Sequence, residues 1–89
     1  MNTKQRQQLK ARAHKLKPVV IIGQNQLTEA VHNEIEVALT AHELMKIRVN
    51  ARDKEVRAQM TKEICHEHGA EFIALIGHIL IIYRKNEDL

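Results

Sequence analysis

At 89 residues, with 44% hydrophobic and 28% charged side chains, the chain has the composition of one small globular domain. No stretch reaches the ~18 consecutive apolar residues that a membrane span requires. The formal charge of +3 is modest but unevenly placed: residues 1–17 hold Lys4, Arg6, Lys10, Arg12, Lys15 and Lys17 and no acid, so the remaining 72 sum to −3. Segregation of this kind points to a polyanionic partner more strongly than overall charge does. A lone cysteine, Cys65, cannot form an internal disulfide and fits a reducing compartment. The polar start MNTKQRQQLK lacks the apolar core of a secretory signal, so a cytoplasmic location is expected.

In chain order, Leu9, Ala13 and Leu16 recur at i, i+4 and i+7 and predict a helix from about Thr3 to Lys15, capped by Thr3. Its apolar stripe is narrow, and most of its circumference is polar and basic. Pro18 disfavours helical geometry at Lys17 and ends the element. Val19 to Ile22 are apolar and mostly β-branched, which predicts a short interior strand covered on both faces. Gly23, Gln24, Asn25 and Gln26 form a polar loop, and Thr28 caps a second helix running to about His42. Leu27, Val31, Ile35, Ala38 and Leu39 define its inner face, while Glu29, Glu34 and Glu36 make its outer side acidic. Backbone N–H groups at this strand–loop–helix junction are unpaired by the helix and partially positive, so the loop is a candidate anion site.

From Leu44 to Asn50, Met45, Ile47 and Val49 alternate with Lys46, Arg48 and Asn50, the pattern of a half-buried strand with a wet, basic face. Asp53 caps a third helix carrying Val56, Met60 and Ile64, and Gly69 suits its C-terminus. Glu71–Ile76 and Ile79–Tyr83 read as a hairpin across Gly77 and His78. The charged tail, 84–89, is expected to fray, leaving an ordered core over about residues 3–84. The order α-β-α-β-α-β-β implies a single α/β (α+β) domain with a mixed four-stranded sheet packed by three helices.

Catalytic and metal chemistry find little support. Cys65, His66 and His68 near a helix end do not converge on one tetrahedral ion, so no metal or other cofactor is expected. The two histidines read as exposed residues favourable to the helix dipole, Cys65 as a small buried filler, and Glu34, Glu36, Glu63 and Glu67 as solvated. No Gly-rich phosphate loop or nucleophile motif is present, and no enzyme or small-molecule substrate is expected. With Phe72 and Tyr83 as the whole aromatic complement, base stacking cannot dominate nucleic-acid binding. The basic first helix, the polar loop, and Lys46, Arg48 and Arg52 are suited instead to backbone and shape, and structured RNA is the favoured partner. The rival reading is a protein-interaction module that docks the basic helix on an acidic protein. Membrane-surface binding is disfavoured by the narrow stripe without aromatics.

Three blocks in order, LKARAHKLKPVVIIGQNQLTEAV, HELMKIRV and IGHILIIYR, resemble the CRM (chloroplast RNA splicing and ribosome maturation) family in its stand-alone bacterial YhbY form. A monomer is expected independently of this resemblance, which implies the same architecture over the whole chain and an RNA-binding domain. Association with precursors of the large ribosomal subunit is implied with it. It also implies an RNA-contacting GxxG loop, here Gly23, Gln24, Asn25 and Gln26, and a neighbouring basic surface that includes Lys10, Lys15 and Lys17; Thr28 beside the loop is a further expected contact. Gln26 replaces the second glycine of that motif, and Ala30 stands where many relatives have glycine. A glycine at the loop's end permits positive φ and close approach to phosphate. Its loss predicts altered loop geometry and a larger share of affinity from the first helix.

Overall fold

A computed structural model describes residues 1–24 and 27–87. Seven elements follow in the expected order: α1 (Thr3–Ala13), β1 (Pro18–Ile22), α2 (Glu29–Ala41), β2 (Leu44–Val49), α3 (Lys54–His68), β3 (Glu71–Ile76) and β4 (Ile79–Tyr83). The strands form one sheet in the order β1-β2-β4-β3, with β1 parallel to β2 and the other pairs antiparallel. Each face has its own core. Val20, Ile22, Met45, Ile47, Val49, Leu80 and Ile82 turn toward α2 and α3, where Ile35, Leu39, Met60 and Ile64 meet them. On the opposite face Leu9 and Ala13 of α1 pack on Leu44, Ile73, Ala74 and Ile81.

Local chemistry accounts for the element ends. Asn2, not Thr3, caps α1: its side chain accepts from Gln5 N at 2.8 Å while Gln5 Oε1 accepts from Asn2 N at 3.0 Å, a reciprocal capping box. The helix closes at Ala13, short of Lys15, where His14 N turns to Ala11 O in a tightened last turn. Thr28 and Asp53 cap α2 and α3 as expected, and Gly69 ends α3 in the left-handed conformation (φ 59°). Gly77 takes the same conformation in the β3–β4 turn.

Three expectations are corrected. β1 is an edge strand, not an interior one: α2 covers Val20 and Ile22, but α1 lies over β2, β3 and β4, so Ile21 is 62% exposed, and Val19, at the irregularity of β1 beside the α2 groove, is 52% exposed. The apolar run predicts cover on both faces, and the strand order withdraws that cover from one of them. His68 is buried at 8% exposure because it has partners on α2; His66 is exposed as expected. The described part of the tail is anchored: Arg84 N donates to Glu43 O and Asn86 N to Glu43 Oε2, each at 2.9 Å, and Asn86 Nδ2 donates to Thr40 O.

Candidate nucleic-acid interface

Strand directions bring three connections to one end of the sheet: the loop after β1, residues 50–53 after β2, and the Gly77–His78 turn. They are bonded to one another. Asn50 N donates to Ile22 O at 3.1 Å, Val49 N to His78 O at 2.7 Å, and the His78 ring donates from Nδ1 to Val49 O at 2.8 Å. Arg57 reaches back from α3, and its Nη1 donates to Ala51 O and Arg52 O at 2.8 Å each. Arg57 and His78 therefore shape the rim on which Arg48 and Arg52 are exposed, a role the sequence pattern does not disclose because both act through backbone carbonyls, His78 across 29 residues. Asn50 Oδ1 accepts from Arg48 Nε at 3.0 Å and steadies that guanidinium.

Gly23 and Gln24 lie exposed at this end; Asn25 and Gln26 fall outside the described residues. Gly23 needs neither a positive φ nor the space, since a Cβ there would meet nothing within 4 Å. The fold does not require this glycine. Thr28 Oγ1 accepts from Val31 N at 3.2 Å, so its first commitment is to the α2 cap.

The basic residues divide into two groups. Arg6 and Lys46 serve the fold: Arg6 Nε donates to Phe72 O at 3.1 Å and pins α1 to β3, and Lys46 Nζ donates to Leu16 O at 3.1 Å and pins the α1–β1 connection. Lys4, Lys10, Arg12, Lys15 and Lys17 are exposed, and among the described residues none is paired with an acid. They do not all face the same way. Arg12 lines one flank of α1 with Gln5, Gln8 and Tyr83, toward the end of the sheet away from Gly23. Lys10 is about 200° further round the helix, on the flank toward Arg48. On the other side of the sheet α2 carries Glu29, Glu34 and Glu36 and no Lys or Arg, while α3 mixes Lys54, Arg57 and Lys62 with Glu55, Glu63 and Glu67.

On that acidic side lies the densest polar cluster. Glu36 takes Arg84 Nη1 on Oε1 at 3.0 Å and Nη2 on Oε2 at 2.9 Å, while His68 Nδ1 donates to Oε1 at 3.0 Å. Arg84 and then His68 hold the carboxyl down to about 2, from an ordinary 4.5, against the opposing effect of burial. Arg84 is correspondingly raised, chiefly by the bond to Glu36. His68 Nε2 lies 2.9 Å from His32 Nδ1. Glu36 is thus a tie between α2, α3 and the tail, not the free solvated carboxylate expected. No hydroxyl or thiol lines the adjoining groove of Glu29, His32, Asn33, Glu36, Glu67 and His68. Cys65 is half-buried and lines a separate groove with Thr61, Phe72 and Leu75. Burial first, and Glu71 second, push its thiol up.

An open sheet with a basic helix on one face and loops bonded together at one end describes a compact binding module, and comparison with known proteins assigns it. The CRS1/YhbY (CRM) domain model matches residues 1–84, and the chain belongs to that family. A Haemophilus influenzae protein named as an RNA-binding protein is 47% identical over 88 residues, covering 99% of this chain and 89% of its own length. A Pseudomonas aeruginosa relative is 36% identical over 86 residues, covering 97% and 83%. The solution structure of a Staphylococcus aureus protein superposes with a TM-score of 0.88 over 98% of this chain and 91% of that one, at 24% identity, and shows the same fold.

Proposed function

We propose that the protein binds RNA through phosphate contacts and acts on precursors of the large ribosomal subunit, holding or shielding ribosomal RNA as a cytoplasmic, non-enzymatic monomer. The observation that carries this reading is the set of exposed cations on and just after α1 that form no ion pair among the described residues, borne by a family member whose Haemophilus relative is named for RNA binding. None of them forms an ion pair with an acid among the described residues, and a polyanion would neutralise them while releasing its counterions.

In this reading Lys4, Lys10, Arg12, Lys15 and Lys17 grip phosphates, and Gly23, Gln24, Asn25, Gln26, Thr28, Arg48 and Arg52 form the second contact at the loop end. About four phosphate contacts would lose on the order of a hundredfold in affinity between ~50 and ~200 mM salt. Sedimentation of a cell lysate, blotted for the protein with and without nuclease, tests the assignment. Co-migration with a particle slightly lighter than the mature large subunit, lost after nuclease, is expected. Recovery only at the top of the gradient at low salt would remove the ribosomal part of the proposal. Complexes that survive nuclease would favour an acidic protein partner.

A further inference from the structure

Four residues share one level across the sheet on its α1 side: Ile21 pairs with Arg48, Arg48 with Ile79, and Ile79 with Ile76. α1 leaves most of this level open. Ile21 is 62% and Ile76 54% exposed, Arg48 is exposed, and Ile79 is half-covered at the margin of the α1 core. The result is an aliphatic row interrupted by one guanidinium. Three inter-strand spacings of about 4.8 Å make it about 14 Å long.

Several facts identify what fits this row. Its neighbours are cationic: Lys10 on the near flank of α1, Lys46 one step back on β2, and Arg52 in the loop beyond. The acids of α2 lie across the sheet. A polyanion is attracted here, but a phosphate backbone gains nothing from isoleucine. A nucleic-acid segment with exposed bases gains from both, since base faces are apolar enough to be drawn from water onto aliphatic surface. A guanidinium held by Asn50 offers a plane on which a base can stack. Phe72 cannot take that role, because it lines the α3 groove on the other face. A duplex, with its bases inside, would leave the row uncovered.

We infer that the Ile21–Arg48–Ile79–Ile76 row is a base-docking strip, and that the RNA this protein takes is one with an unpaired segment next to a helix: the helix phosphates on α1, two or three unpaired bases on the strip. The inference rests on the RNA-binding reading above and adds the form of the RNA.

Binding is to be compared, at one salt concentration, for three RNAs with equal numbers of phosphates: a blunt duplex, a shorter duplex with a four-nucleotide overhang, and the same overhang made abasic. The overhang with bases should bind at least fivefold tighter than either of the others. In I21S/I76S this preference should fall to less than twofold while blunt-duplex affinity stays within twofold of the parent. Equal affinity for the normal and abasic overhangs overturns the strip even if every variant misfolds, since that comparison uses only the parent protein. A preference that survives I21S/I76S in a variant that melts like the parent overturns it too. So does a variant that keeps all RNA binding but loses a co-purifying protein, which would give the row to a protein partner. Failure to bind any of the three RNAs is a different result and removes the RNA-binding reading itself.

Discussion

Arg84 meets both carboxylate oxygens of Glu36, 48 residues earlier, with its two terminal nitrogens at 2.9 and 3.0 Å. The fork ties the residue following β4 to the middle of α2, and Arg84 Nη1 also donates to His68 O at the end of α3, at 3.0 Å.

Because Glu36 is held down to about 2 in the folded chain, its contribution is complete above the ordinary carboxylate value of 4.5 and is lost as pH falls from there through about 2. The carboxylate is half exposed, so solvent screening limits its effect to on the order of 1 kcal/mol. Urea midpoints measured between pH 7 and pH 2.5 should fall more steeply in the parent than in Glu36→Gln. Parallel curves would show that the fork contributes nothing.

His68 and His32 share a hydrogen bond that permits only one proton between the facing nitrogens. With Nδ1 donating to Glu36, a neutral His68 accepts on Nε2, and His32 must donate from Nδ1. His68→Ala, which removes a buried ring and both bonds, should cost about 2–3 kcal/mol; His32→Ala, at a half-exposed site, about 1. Denaturant unfolding of the two variants gives the ranking, and equal costs would contradict it.

Gly23→Ala should fold as well as the parent, or up to ~1 kcal/mol more stably, since it restricts only the unfolded chain. If the loop approaches phosphate closely, RNA affinity should nonetheless drop several-fold. Thermal melts and binding isotherms on the same preparation separate the two effects, and unchanged affinity would take Gly23 out of the interface.

Neutralising Lys10 and Lys15 together should lower RNA affinity about equally for different sequences and reduce the slope of log affinity against log salt by about 1.5. Gln26→Gly should have the smaller effect if α1 dominates the grip. A change below twofold for the lysine pair, against a large one for Gln26→Gly, would reverse that ranking.

With its thiol raised by burial and by Glu71, Cys65 should react slowly with iodoacetamide at pH 8 in the folded protein. Unfolding in urea should accelerate the reaction at least tenfold. A fast folded-state reaction would mean that α3 opens readily over its groove.

Local signals carried most of the fold. Thr28, Asp53 and Gly69 mark helix ends by chemistry confined to a few residues, and the Met45–Ile47–Val49 alternation marks the side of β2 that faces α2 and α3. The opposite side, expected wet and basic, is covered by α1 at Leu44 and half-covered at Lys46, leaving Arg48 exposed. What failed depends on distant neighbours. Ile21 has the side chain of an interior-strand residue, and only the strand order, which puts β1 at an edge, exposes it. His68 looks like a surface residue until α2 supplies Glu36 and His32, 32 and 36 residues away. The basic character of the N-terminal segment was legible as composition, but the division of labour between it and β2 was not, because the acceptors of Arg6 and Lys46 are backbone carbonyls, which no side-chain pattern reveals.

With only cations among the charged side chains of α1 and more acids than Lys or Arg on α2 and α3 across the sheet, the molecule also carries an electric dipole across its thickness. In the field of a polyanion such a body feels a torque before it feels a contact. Net charge of +3 governs how strongly it is drawn in, while the separation of charge governs which way it faces on arrival. A variant with the same net charge but one lysine moved from α1 to α2 would be attracted as strongly over a long distance and would more often arrive with the wrong side forward.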